Sequence, residues 1–161
     1  AELPFAGHPL VGAGWLLARE RTAVAALRPP AGEVPTWLDG DGVTWIRGRA
    51  EWAPEITFRQ LGGPGEVDAL AGPPDGLDMV DCWAWEDEPA GQVRARVFAP
   101  RYGIAEDQAT GAAAVRLVSG LGRPITIRQG AGSLLHARPG PDGSAEVGGL
   151  VVLDEVRDHP V

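Results

Sequence analysis

Lysine is absent from this 161-residue chain, and all 14 cationic residues are arginine. That excludes a Schiff-base lysine, a lysine-bound pyridoxal cofactor and a P-loop lysine. Cysteine is nearly absent too. Cys82 alone permits no internal disulfide, and it excludes a racemase built on two opposed thiols in one chain. Positive charge is short, with a net charge of −8 and no basic run, so a phosphate backbone has no face to meet. No apolar stretch approaches the ~20 residues that span a bilayer. The segment Ala1 to Gly7 lacks the basic and apolar regions of a signal peptide. The expectation is a soluble, cytoplasmic protein with no membrane or nucleic-acid partner.

What the chain does have is turn-forming and aromatic material: 23 glycines, 15 prolines and six tryptophans. With 44% hydrophobic and 22% charged residues it can bury a core without staples. Short strands and frequent turns are expected, with few long helices. After Gly7-His8, Pro9 suits the first position of a helix, which reads from Leu10 to Leu27 and stops at Arg28-Pro29-Pro30. Its glycines, each costing about 1 kcal/mol relative to alanine, suit a helix that something approaches closely. Strand patterns follow at Val43–Arg47 and Ile56–Arg59, with a turn at Asp41-Gly42. Residues 62–76 are rich in glycine and proline, with one helical turn expected at Val67–Leu70, and mark a boundary between two lobes, residues 1–70 and 77–161.

In the second half, Met79–Trp85 and Val93–Phe98 read as paired strands joined by the acidic turn Glu86–Pro89. Ala109–Leu121 reads as a second small-residue helix closed by Gly122. Pro124–Gln129, Ser133–Arg138 and Ala145–Leu153 read as strands, the last two joined at Pro141-Asp142-Gly143. Each half thus places one alanine-rich helix among strands, which suggests an internal duplication; an ordinary two-layer α+β arrangement explains the same pattern.

Chemistry concentrates in two segments, Glu2–Pro9 and Arg96–Ala113. Each is a turn feeding the N-terminus of a small-residue helix, where unpaired N–H groups and about half a positive charge favour a carboxylate. Gly7 and Gly111 let a ligand reach the backbone. His8 and Asp107 stand where a bound anion meets a titratable side chain. Plainer readings stay open: His8 as a structural residue, Asp107 or Thr110 as a helix cap, Glu106 as a solvated carboxylate. His136 and His159 read as bystanders and Cys82 as a small core residue. The scattered histidines and single cysteine have no metal-ligand spacing, and no serine sits in a nucleophile elbow.

Together the segments ELPFAGHP (2–9) and RVFAPRYGIAEDQATGAA (96–113) resemble the signatures of the phenazine-biosynthesis isomerase (PhzF-like) family, E-L-P-F-x-G-H and R-x-F-x-P-x-x-G-I-x-E-D-P-x-T-G-S-A. The stretches Ile125–Gly130 and Val147–Gly149 also fit, while residues 30–75 fit poorly. The resemblance implies a diaminopimelate-epimerase-like α+β fold: two similar lobes, each with a sheet wrapped around a central helix, the first lobe incomplete here. It implies isomerisation of a trans-2,3-dihydro-3-hydroxyanthranilate-like acid by proton transfer, with no cofactor and no metal, in a homodimer. Carried over by position, His8 and Asp107 are catalytic, and Gly7, His8, Thr110, Gly111 and Ala112 bind the substrate, the backbone at Gly7 and Gly111 holding its carboxylate. Gln108 stands where proline is usual, and Ala112 replaces a ligand-contacting serine. The family's principal glutamate belongs to a motif upstream of the Glu2–Pro9 segment. Two expectations follow: an isomerase whose glutamate lies in a preceding segment, or a catalytically silent protein that binds small carboxylates.

Overall fold

A computed structural model of the chain describes residues 3–20, 22 and 24–154. Glu2 and His159 lie outside the described residues. Among the described residues three α-helices, α1 (Gly7–Arg19), α2 (Pro64–Asp68) and α3 (Gly111–Leu121), accompany ten strands. The strands are β1 (Ala26–Leu27), β2 (Val34–Leu38), β3 (Thr44–Gly48), β4 (Thr57–Gln60), β5 (Val80–Asp87), β6 (Gln92–Ala99), β7 (Ile104–Asp107), β8 (Ile125–Gln129), β9 (Ser133–Pro139) and β10 (Ala145–Gly149).

All ten strands join one hydrogen-bonded sheet, nine in the order β1-β2-β3-β10-β9-β8-β6-β5-β4 and β7 off this path on β6. Strand β6 carries β8 in parallel along Gln92–Ala95 and β7 in antiparallel beyond it, at Val97 and Ala99. The last strand, β10, pairs with β3 on one side and β9 on the other, so the sheet runs unbroken through both halves of the chain.

One face of the sheet holds the core. Alternation puts Ile46, Val93, Ala95, Ile127, Ala137 and Val147 inward. Against this face lie α1, over β2, β3 and β10, and α3, over β9 and β10. Helix α1 comes in closely because Gly14 has no Cβ to collide with the Thr36 side chain. The alanines Ala112, Ala113 and Ala114 do the same for α3, all nearly inaccessible. On the opposite face α2 packs over β5 and β6, covering Val80, Cys82 and Phe98 with help from Leu61, Leu70 and Leu77.

Several expectations need correction. Helix α1 starts at Gly7 and ends at Arg19, so Pro9 is its third residue, and Ala26–Leu27 is a strand instead of helix. Pro9 costs nothing there, since its missing N–H is one of the four unpaired at a helix start. Strand β2 carried no usable alternation, because Pro35 interrupts it. The short helix α2 begins at Pro64, upstream of the single turn expected at Val67–Leu70. Helix α3 and strands β5, β6, β8 and β9 lie within about two residues of their expected bounds. Gly122, in the left-handed region at φ 66°, closes α3 as expected. No helix among the described residues is long and apolar enough to cross a membrane.

Candidate functional site

Helices α1 and α3 meet at their N-termini. A Cβ added to Gly7 would lie 2.5 Å from Gly111 Cα, and one added to Gly111 would lie 2.8 Å from Gly7 Cα. Real side chains never approach backbone that closely, so only a glycine pair allows this junction. Neither helix has a side-chain cap hydrogen bond at its start. Two partial positive ends are therefore brought together, a setting in which an anion is favoured.

The segment ahead of α3 is braced from beneath by Gln129, which is 2% exposed at the end of β8. Its amide nitrogen donates to the Asp107 carbonyl (2.7 Å) and to Thr110 Oγ1 (2.8 Å), and its Oε1 accepts the Thr110 N–H (3.1 Å). Thr110 Oγ1 donates in turn to Asp107 Oδ2 (2.8 Å), while Asp107 Oδ1 accepts the Ala109 N–H (3.2 Å). Asp107 thus closes the turn that leads into α3 without occupying the amides of the helix's first turn. Sequence reading missed Gln129. A polar residue at the inward position that follows Ile125 and Ile127 was the available signal. Gln108, which stands where the motif has proline, accepts the Ala131 N–H through Oε1 (2.7 Å) and ties this turn to the β8–β9 hairpin.

Gly7, His8, Asp107, Thr110, Gly111 and Ala112, drawn from segments a hundred residues apart, all line one cavity of about 140 Å³. Met79, Ala99, Tyr102 and Ile104 make its apolar wall. His8 is exposed at the mouth, Asp107 is half-buried, and Thr110 and Ala112 are buried. His8 and Gly111 also border a larger cavity of about 310 Å³, lined by apolar residues including Val11, Leu135, Val147 and Val151.

Other candidates lie elsewhere. Glu106, expected as a solvated carboxylate, instead forms a two-pronged pair with Arg96 (2.9 and 2.6 Å) on the far face of the sheet. The Arg96 hydrogen bonds hold its carboxyl below the usual range. His136 is on β9 beside Trp45 and lines a different cavity from His8. Cys82 is fully buried, and burial pushes its thiol up. Among the described residues no group of three or more His, Cys, Asp or Glu could hold a metal ion.

No family model matches the sequence. Solved structures do. A phenazine-biosynthesis PhzC/PhzF protein from Clostridium difficile superposes over 100% of this chain and 75% of its own, with a TM-score of 0.77 at 14% identity. A PhzF-family phenazine-biosynthesis protein from Enterococcus faecalis matches over 91% of this chain and 70% of its own (TM-score 0.69, 15% identity). A predicted epimerase from Pseudomonas aeruginosa matches over 92% and 72% (TM-score 0.64, 22% identity). The chain has the α+β fold of these proteins, as the two motifs led one to expect.

Proposed function

We propose that this chain is a PhzF-like isomerase subunit that binds a small carboxylic acid between the N-termini of α1 and α3 and moves a proton on it. One observation carries the reading: the six residues named by the two motifs line a single cavity where the helix starts abut. The open first-turn amides at Gly7-His8 and Gly111-Ala112 suit a carboxylate, each helix end contributing about 0.3–1 kcal/mol. His8 at the mouth, in reach of a bound acid, helps bind it and relays a proton to and from the principal acid/base. Asp107, fixed by Thr110 and Ala109, orients the substrate and the developing charge. The isomerisation removes a proton from one carbon and delivers one to another, so it balances without redox change or cofactor. Substrate of the trans-2,3-dihydro-3-hydroxyanthranilate type, an upstream glutamate as the principal acid/base, a cytoplasmic setting and a homodimer belong to the same proposal.

A second reading has its own support. Both oxygens of Asp107 already accept a hydrogen bond within the turn, as befits a structural carboxylate in a protein that binds the acid silently. Incubation with such a substrate in D2O separates the two. Isomerisation predicts deuterium entering the product by mass spectrometry, with His8→Ala and Asp107→Ala each slowing entry at least tenfold. Binding without any deuterium entry would leave only the silent binder.

A further inference from the structure

Directly beneath the cleft lies a carboxyl group that the proposed chemistry does not use. Asp81, the second residue of β5, is 2% exposed, and its Oδ1 is buried with no hydrogen-bond partner. Among the described residues only Thr44 shares that condition. Strand register locates it closely. Asp81 pairs with Phe58 of β4 and Val97 of β6, and Val97 pairs in turn with Asp107 of β7. Opposed residues share a face, so Asp81 points to the inner side, in the same row as Asp107 and two strands away. Met79, two residues earlier, and Ala99, two beyond Val97, are on that same face and line the cleft. Ala113 of α3 packs onto Met79, Val97 and Ala99 from above.

Compensating charge is missing from this layer. Strand β4 offers Phe58, β6 offers Val97, and α3 offers Ala113. On α1, α3 and the inner side of β7 the ionisable groups are His8, exposed at the cleft, Arg19, over the Trp15 ring, Asp107, which bonds Ala109 and Thr110, and Arg116, whose guanidinium donates to the Pro54 carbonyl (2.9 Å). Arg59 and Arg96 pair with Cys82 and so project from the opposite face. An ionised carboxylate in such a place lacks both water and a counter-ion.

We propose that Asp81 is a proton switch for the cleft: it sits in the folded protein as a neutral acid, and losing its proton loosens the β5–β6 floor on which Met79 and Ala99 stand. Burial agrees with this, pushing the Asp81 carboxyl up to about 7, close enough to neutrality for the switch to operate between mildly acid and mildly alkaline solution. Ionisation draws water toward Oδ1, and the cleft wall at Met79 and Ala99 on the same face is where that loosening is read. The inference stands on the cavity wall alone and does not depend on what the cleft binds.

Met79 is the chain's single methionine, so methyl-13C methionine labelling places one reporter on the cleft wall; Met79→Leu assigns the signal. Titration is followed from pH 5 to 9 in His8→Ala protein, to remove the imidazole that borders the same cavity. The methyl resonance is expected to shift with a midpoint near pH 7, and adding Asp81→Asn abolishes the inflection. A flat titration in His8→Ala, or an inflection that survives Asp81→Asn, overturns the proposal.

Discussion

At the scale of single residues, two buried carboxyls set opposite pH limits. Asp81 is raised to about 7 by burial, above its ordinary 3.8. The folded state therefore holds this proton more tightly, and its contribution is complete below about pH 4 and lost as pH rises toward 7. The upper limit of that loss is about 4 kcal/mol. Glu146 runs the other way. Burial alone would raise it, but hydrogen bonds from Arg138 and Arg47 prevail and hold its carboxyl below the usual range. Its Oε1 accepts Arg47 Nη2 (2.7 Å) and its Oε2 accepts Arg138 Nε (2.7 Å). That contribution is present above about pH 4.5 and fades as acid protonates it. Urea unfolding from pH 3 to 9 should thus show greatest stability on the acid side of neutrality. Asp81→Asn should flatten the decline between pH 5 and 7, and Glu146→Gln should cost about 1–3 kcal/mol at neutral pH. A stability curve rising from pH 5 to 8 would contradict the burial of an unpaired Asp81.

At the scale of elements, α3 was legible and α1 was only half so. Helix α3 has a mostly small and apolar run between a threonine-glycine start and Gly122. The end of α1 is hidden in the sequence because alanines and leucines continue past Arg19 without a proline or glycine to stop them, and its start is hidden because Pro9, which suits a first helical position, is the third residue. Strand β2 escaped because Pro35 lies within it; it survives by pairing Thr36–Leu38 with β3 and only two residues with β1. Of the site, the helix starts could be read from glycine and histidine spacing. The brace beneath α3 could not, since Gln129 meets Asp107 and Thr110 only through folding. Gln129→Leu keeps the volume while removing three hydrogen bonds. It should destabilise by about 1–3 kcal/mol and speed amide exchange at Thr110–Ala112. Unchanged exchange at those amides would mean the turn stands without Gln129.

At the scale of the molecule, a ten-stranded sheet carries two helices toward each other from segments that begin a hundred residues apart. Their junction tolerates no Cβ, and the cavity beside it collects the six site residues carried over from the two motifs. The most direct test of a carboxylate cleft at this junction is amide NMR during titration with a hydroxyanthranilate-type acid. The account predicts the largest shifts at the amides of Gly7, His8, Gly111 and Ala112, and their loss in Gly7→Ala, whose Cβ collides with Gly111. Shifts centred elsewhere, or binding unchanged by Gly7→Ala in a folded protein, would contradict it.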